Sequence, residues 1–372
     1  IATINLNVSA DDMHFVTHAI NFLKADRLIT YDQSSGLWFA FTSLMYNIFG
    51  TTQLSSRLAA LIFGSLSILI IYLFTKEFFS ENISLIAAFL LAVSPFHIFH
   101  TVAEMDVMAM FFVLSGMLFF VKGTKSNLLS HFIFSGAFLG LAIYTKVYPI
   151  LFIPSLMLFF IYLKKKAKQK IVSKDNAKKI FAFLAIAFIF TIPAITHNYL
   201  LYRDKGYLDL QFTRSLGLGI EVSAKYYSWD AQFDRPNSWK GLIFGDANYE
   251  GTGRPLLLAT LDFIRVGDPI IFYLGFVGIL LILFFKRNMK DYLIFLLLSL
   301  MFAWPFLASI IVLQKHFIFI LMLLVPLSAF ALNHLGSKLP SNSKKINIIL
   351  LASVLIISLI LLGMPVIPHI WH

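Results

Sequence analysis

Ten long apolar stretches decide what this chain can fold into. A helix needs roughly 17–25 consecutive apolar residues to cross a bilayer, and in lipid its backbone satisfies its own hydrogen bonds. Hydrophobic residues make up 59% of the chain and charged residues only 13%, which excludes an ordinary soluble protein. The sequence therefore predicts an all-α polytopic membrane protein. The predicted spans are 56–76, 83–101, 104–121, 129–145, 147–163, 180–200, 269–286, 291–312, 316–335 and 345–363.

The basic residues give these spans an orientation. A lysine-rich run follows the fifth span, over positions 164–179, and short loops rich in Lys and Arg stay on the cytoplasmic side. When the spans alternate outward from this loop, 17 of the 30 basic residues but only 4 of the 19 acidic residues are cytoplasmic. The net charge of +11 thus reports membrane orientation, and we expect no nucleic-acid partner.

Four regions follow from this topology. Residues 1–55 form a first extracytoplasmic loop, 56–200 a set of transmembrane helices, 201–268 one long extracytoplasmic loop, and 269–372 the C-terminal transmembrane helices. The apolar segment 37–49 is too short to cross and has both ends outside, so we expect an interfacial helix on the outer leaflet. Because the sequence starts at Ile1 in a polar stretch, we expect a further segment of the chain before it, and about ten spans in the sequence given.

Two adjacent aspartates mark the first loop. Ser9 followed by Asp12 three residues later is typical of a helix N-cap, where the helix dipole keeps Asp11 and Asp12 ionised. These carboxylates could accept a proton or bind a cation, or they could simply cap a surface helix. Asp11, His14 and His18 share one helical face, so a metal triad is an alternative to histidines that contact only water.

The other predicted outer turns also carry ionisable side chains. A phosphate leaving group needs cations rather than a general acid, and a hydroxyl or amine nucleophile needs one carboxylate as its base. Acids and bases on one side of a bilayer therefore suit a reaction of a lipid-linked phosphate. The lysines among them could alternatively be snorkelling anchors at the membrane boundary. The side chains are Arg57, Glu104, Asp106, Lys146, Lys315 and His316.

Five short motifs occur in order along residues 9–335. They are Asp11-Asp12-Met13-His14-Phe15, Ser56-Arg57-Leu58 with Gly64, Ser94-Pro95 with Asp106, Gly140-Leu141-Ala142 with Thr145-Lys146, and Lys315-His316. In type and order they resemble motifs of the GT-C superfamily of polyprenyl-phosphate-dependent glycosyltransferases. Within that superfamily they are most similar to the protein O-mannosyltransferases and the aminoarabinose-transferase-like membrane enzymes.

The resemblance implies a multi-helix membrane enzyme with its site on the extracytoplasmic side of the cell membrane. It also implies one more transmembrane helix ahead of the first loop, which would make eleven in all. It implies Asp11 as the catalytic base and Asp12 as the residue that orients the acceptor or holds the base. Arg57, Lys146 and Lys315 would bind the donor phosphate. Because a base-activated acceptor displaces phosphate in one step, we expect an inverting transferase. It would move a sugar from a polyprenyl-phosphate donor to a protein, lipid or glycan acceptor.

Some features depart from the family pattern. Asp12 stands where the family has Glu, and 32–36 (Asp-Gln-Ser-Ser-Gly) replaces its Pro-Pro turn. The spacing Glu104-x-Asp106 is similar to that of oligosaccharyltransferases, whose acidic outer turn binds a divalent metal. Residues two apart on a regular helix point about 200° apart, so both carboxylates could hold one metal only if the turn is irregular. A divalent metal is thus an option, and no cofactor is required.

Four further side chains complete the predicted site. His316 would join the donor phosphate contacts, while His14, Tyr227 and Trp229 would contact the acceptor or the sugar. The aromatic residues could instead belong to an interfacial belt. Two other functions stay open at this stage. One is a transporter or flippase that captures an anionic lipid-linked substrate, and the other is a non-catalytic subunit of a larger membrane complex.

Overall fold

The computed structural model describes residues 16–17, 19–22, 36–102, 104–206, 208–209, 256–286, 289–307, 314–338 and 343–363. Within these ranges every regular element is helical. Short 3-10 turns lie at Tyr148–Leu151 and Gln314–Phe317. The α-helices are α1 (Gly36–Phe49), α2 (Gln53–Lys76), α3 (Glu81–Val93), α4 (Pro95–His100), α5 (Met105–Ser126), α6 (Leu129–Thr145), α7 (Phe152–Lys166), α8 (Lys174–Lys205), α9 (Leu256–Gly267), α10 (Pro269–Phe284), α11 (Lys290–Leu307), α12 (Ile318–Lys338) and α13 (Ser343–Gly363).

Each predicted span coincides with at least one helix. Five described segments are long and apolar enough to cross a membrane: α2, α5, the 3-10 turn with α7, α8 and α12. The pair α9 and α10 passes the same criterion together, although the two helices bend by 119°. Shorter apolar helices lie at α3, α6 and within α13. The architecture is that of a multi-pass membrane protein, while the total of ten spans stays a prediction.

Two boundaries differ from the predicted ones. The span predicted over 83–101 is interrupted after Val93, because Pro95 favours an extended backbone at the residue before it and Ser94 adopts one. The predicted loop 201–268 is helical at both ends, since α8 runs on to Lys205 and α9 covers its last part. Charged residues end an apolar window without ending a helix, and α8 stops only at Gly206, whose φ is +80°.

The helix directions place the predicted outer turns at one end of the bundle. Beyond the C-terminus of α2, Glu77 accepts a hydrogen bond from Lys125 at the C-terminal end of α5. Gly64, in the N-terminal half of α2, packs on Thr101, which precedes α5. The helices α2 and α5 therefore run in the same direction. Arg57 and Asp106, near their N-termini, lie at the same end, called the site end below.

The opposite end, called the lysine end, collects the predicted cytoplasmic turns. Lys166 at the end of α7 forms an ion pair with Asp291 at the start of α11, at 2.6 Å. Lys164 donates to Asn127, in the turn between α5 and α6, at 3.3 Å. Asn127 in turn donates to Asp175 at the start of α8, at 3.2 Å. These contacts tie three connections together at the end of the molecule away from the site.

The helix α1, predicted as an interfacial helix, packs against α2 and α6. Its Trp38 and Phe39 are buried, and Gly36 at its start lies against the ring of Tyr144 on α6. The Ser43 hydroxyl donates to the carbonyl of Ala19 at 2.8 Å. This bond holds the helical residues after the acidic motif against α1, so the first loop returns to the bundle.

Candidate functional site

A buried ion pair forms the centre of the site end. Lys146 Nζ lies 2.7 Å from both carboxylate oxygens of Asp106. Asp106 is 0% exposed and Lys146 is 8% exposed. The pair arises because Lys146 ends α6 with an extended backbone, while Asp106 occupies the first turn of α5, where the helix dipole favours a carboxylate. Each charge supplies the partner that the other needs when it is removed from water.

Tyr148 extends this centre. It lies in the 3-10 turn directly after Lys146, whose Nζ is 5.8 Å from the centroid of the tyrosine ring. The side chain is 3% exposed, and its hydroxyl has no hydrogen-bond partner within the described parts of the chain. A buried hydroxyl left unpaired costs about 1–3 kcal/mol. The hydroxyl is therefore a polar group that a ligand beside Lys146 could satisfy.

Arg57 and Glu104 are buried at the same end. Arg57 follows the capping box of Thr52 and Ser55 that starts α2, and it is 0% exposed. Glu104 is the N-cap residue of α5, where its side chain makes no capping hydrogen bond, and it is 6% exposed. Arg and Glu are rarely fully buried in proteins. Two acids and two cationic residues of the sequence prediction are thus buried at the site end.

A second polar link joins the outer turn at Ser94 to the bend between α9 and α10. The Ser94 hydroxyl donates to Asp268 Oδ2 at 2.5 Å, and the Ile271 N–H donates to Oδ1 at 3.0 Å. Ser94 Oγ also accepts from the His97 N–H at 3.2 Å. Burial raises the pKa of Asp268, which precedes the apolar helix α10, to about 6, although these hydrogen bonds act in the opposite direction. The link fixes the helix that follows the long loop to the turn that carries Glu104.

The sequence interpretation missed Asp268 and Tyr148. Asp268 carries a recognisable signal, because Asp followed by Pro before an apolar run is typical of an N-cap with proline at the first helical position. The structure has this cap at the start of α10. Tyr148 carries a weaker signal, namely its position two residues after the Thr145-Lys146 motif. Nothing in the sequence indicates that its hydroxyl is unpaired.

The last predicted outer turn reaches the same region. His316 is buried in the 3-10 turn Gln314–Phe317. The ring of Phe319, just after this turn, lies 6.3 Å from that of Tyr148, and Phe317 lies 5.3 Å from Phe263 on α9. The turn therefore sits between the Lys146 segment and α9. Of Lys315, only the backbone is among the described residues.

The remaining predicted site residues lie outside the described residues. The positions are Asp11, Asp12, His14, Tyr227 and Trp229, and their roles stay predictions. Within the described ranges, no group of three or more His, Asp and Glu side chains could hold a metal ion. Both carboxylate oxygens of Asp106 bind Lys146, so a metal shared with Glu104 would have to displace or share that contact.

Known proteins resemble this chain in family and in fold. Residues 36–197 match a family model described as dolichyl-phosphate-mannose-protein mannosyltransferase, and this range contains Arg57, Glu104, Asp106 and Lys146. No curated protein matches the chain in sequence.

Solved structures match over nearly the whole chain. ArnT from Cupriavidus metallidurans bound to undecaprenyl phosphate is similar with a TM-score of 0.64 and 14% identity, over 94% of this chain and 60% of ArnT. The oligosaccharyltransferase AglB from Archaeoglobus fulgidus, in complex with an inhibitory peptide and a dolichol-phosphate, is similar with a TM-score of 0.56 and 16% identity, over 95% of this chain and 51% of AglB. The chain thus spans about half to three-fifths of the length of these proteins. The family match and the shared fold confirm the resemblance to the GT-C superfamily of membrane glycosyltransferases.

Proposed function

We propose that this protein is an inverting glycosyltransferase. It moves a sugar from a polyprenyl-phosphate donor to an acceptor on the extracytoplasmic side of the cell membrane. The observation that carries the proposal is the burial of four ionisable residues at the site end, two of them in an ion pair. These residues, Arg57, Glu104, Asp106 and Lys146, all lie within the mannosyltransferase match. Buried charges that serve no packing purpose are typical of functional sites in membrane proteins.

The reaction needs a base for the acceptor and cations for the leaving group. The acceptor oxygen or nitrogen attacks the anomeric carbon, and its proton passes to Asp11. The bond between the anomeric carbon and the phosphate oxygen breaks at the same time, and its electron pair leaves with polyprenyl phosphate. This is one displacement, so the configuration inverts. Ala19, eight residues after Asp11 in the sequence, accepts a hydrogen bond from Ser43 on α1.

In this proposal Lys146 binds the phosphate and keeps its contact with Asp106. Its ammonium has three N–H donors, and the two oxygens of Asp106 accept from it at 2.7 Å. In the proposed complex the remaining N–H of Lys146 and the hydroxyl of Tyr148, which has no partner within the described residues, would bind a phosphate oxygen. Asp106 is then a positioning residue, because its two oxygens hold the ammonium in place.

The ligands of the structural neighbours support this class of donor. ArnT is bound to undecaprenyl phosphate, and AglB is bound to a dolichol-phosphate and a peptide. Both phosphates are polyprenyl-type lipids, so a donor built on such a carrier is the natural proposal for this chain. The peptide of AglB makes a protein acceptor one option beside a lipid or a glycan. Lys315 and His316 would complete the cationic side of the site.

An assay for free polyprenyl phosphate tests the proposal. The purified chain in lipid nanodiscs is given a polyprenyl-phospho-sugar and candidate acceptors, and Asp11→Asn should abolish release while donor binding persists. Glu81→Gln is the matched control, because this exposed carboxylate lies at the lysine end and its loss should leave release unchanged. Normal turnover by Asp11→Asn would refute the base assignment. Donor that crosses a vesicle membrane without losing its sugar would favour a flippase.

A further inference from the structure

The helix α8 lies at the edge of the bundle and turns one face outward. Its inner face packs closely on α6, where Gly136 and Gly140 contact the backbone of Phe183 and Ala187. On the outer face Phe181 is 73% exposed and Phe188 is 59% exposed. An apolar face of this kind on a spanning helix contacts lipid. The lysine end of α8 is therefore at the protein–lipid boundary rather than inside the bundle.

Two lysines continue this lipid-facing stripe beyond its apolar part. Lys174 and Lys178 precede Phe181 at intervals of four and three residues, so all three share one helical face. Both lysines are exposed. Neighbouring lysines are engaged differently: Lys179 is buried against Asp175, and Lys164 bonds to Asn127 and Gln169. The outward lysines thus lie at the level where the apolar stripe meets the lipid headgroups.

The connection before α8 holds an apolar side chain outward beside these lysines. Val172 is 91% exposed, and Lys170 next to it in the turn is exposed as well. Hydrogen bonds of Asn176 hold the turn before α8 in this conformation. The buried side chain of Asn176 donates to the carbonyls of Lys170 and Ile171 at 2.8 and 3.1 Å. Ser173 Oγ accepts from the Asn176 N–H at 3.1 Å.

We propose that Lys170, Lys174 and Lys178 with Val172, here called the basic edge, bind the headgroups of anionic phospholipids. Val172 would insert between the lipids, and the three ammonium groups would lie against their phosphates. Charge complementarity, the continuity with the lipid-facing stripe of α8 and the fixed turn carry the proposal. It concerns the end of the molecule away from the site and is independent of the proposed transferase activity.

A single exposed valine would be weak evidence for lipid binding by itself, because isolated apolar residues are common on protein surfaces. Here Val172 stands within a turn held by three hydrogen bonds from Asn176. Within the described part of the chain, Lys170, Lys174 and Lys178 have no carboxylate partner, in contrast to Lys166 and Lys179. A membrane-proximal basic segment gains about 1 kcal/mol per lysine from an anionic leaflet, which is about five-fold in affinity per lysine.

The absence of cysteine from the chain allows a local probe. Val172→Cys labelled with an environment-sensitive fluorophore is placed in nanodiscs of phosphatidylcholine with increasing phosphatidylglycerol. The emission should shift to the blue and rise as the anionic fraction increases, and high salt should reverse the change because it screens the charges. Adding Lys174→Gln and Lys178→Gln should move the half-maximal response to a higher anionic fraction, and the double change should move it further than either single change.

Lys205→Gln is the matched control, because this exposed lysine lies at the other end of the same helix. It makes the same charge change and should leave the Val172→Cys signal unaltered. Water-like emission at every fraction of phosphatidylglycerol would overturn the proposal. A response that does not change with salt would also overturn it. The salt titration uses the unaltered lysines, so it decides the matter even if the glutamine variants fail to fold.

Discussion

Asp106 and Lys146 form a buried ion pair, so the contribution of each charge to stability depends on the presence of the other. Replacing Lys146 by Met would leave a buried carboxylate without its partner, which costs about 3–5 kcal/mol. Asp106→Asn with Lys146→Met removes both charges and should lose clearly less than the sum of the single changes. Unfolding free energies from detergent titration followed by circular dichroism measure the three variants. Additive losses would show that the two charges do not depend on each other.

The hydroxyl of Tyr148 should matter for the donor and not for folding. Tyr148→Phe removes a buried group that has no partner among the described residues, so stability should hold or rise by about 1 kcal/mol. Donor affinity should fall by roughly ten-fold, the size of one hydrogen bond to a charged group. Binding of polyprenyl phosphate in nanodiscs measures the effect.

Tyr162 offers a matched comparison for that experiment. Its hydroxyl donates to Asp291 at 2.7 Å, at the lysine end. Tyr162→Phe makes the same chemical change but should lower stability and leave donor affinity unchanged. If both variants lose donor affinity equally, the change reports general loosening of the bundle, and Tyr148 is no ligand of the phosphate.

At the scale of elements, two helix contacts depend on the absence of a side chain. A Cβ at Gly64 would overlap the side chain of Thr101, and this contact holds α2, with Arg57, against the turn before α5. Overpacking of this kind costs about 1–3 kcal/mol. Gly64→Ala should therefore lower both stability and sugar release, and Thr101→Ala in the same chain should restore much of both.

Gly140 differs because a Cβ there would meet a backbone atom, which no substitution can remove. A Cβ there would meet the carbonyl oxygen of Ala187 on α8, and a carbonyl remains whichever residue stands at 187. Gly140→Ala should therefore resist rescue by side-chain changes on α8. The thermal unfolding temperatures of Gly64→Ala and Gly140→Ala measure the contrast. Each is compared alone and with its second substitution, Thr101→Ala for Gly64→Ala and a side-chain change on α8 for Gly140→Ala. A rescue at Gly140 would mean that the helices can separate freely.

The helices themselves follow from the sequence to a large extent. Apolar stretches long enough to cross lipid locate α2, α5 and α8, since hydropathy and helical hydrogen bonding are properties of each segment alone. What hydropathy misses are breaks made by local chemistry, such as Ser94 before Pro95 or the 119° bend at Asp268. It also misses pairings of distant segments. The Ser94–Asp268 bond joins residues 174 positions apart, and nothing periodic in the chain indicates it.

The site was predictable as a set of charges but not as an arrangement. The sequence shows Lys146 as a lone cation at one outer turn and Asp106 beside Glu104 at another, and the structure has both Lys146 and Asp106 at the site end. Their mutual pairing depends on how α6 packs beside α5, a contact made by side chains such as Ser135 against Gly116. The sequence therefore suggested two separate roles where the structure has one unit. Asp11 and Asp12 keep the roles that the family resemblance gives them, as predictions.

At the scale of the whole molecule, the lysines are concentrated at one end, and this predicts an orientation in the membrane that can be measured. The lysine end should face the cytoplasm by the positive-inside rule, which puts Asp106 and Lys146 outside. Because the chain has no cysteine, Lys205→Cys at the site end and Glu81→Cys at the lysine end give unique labels, and both positions are exposed. A membrane-impermeant thiol reagent should label Lys205→Cys in intact cells but Glu81→Cys only after permeabilisation. The parent chain should stay unlabelled throughout. The reverse pattern would place the buried ion pair on the cytoplasmic side, and the donor and acceptor would then have to be sought there.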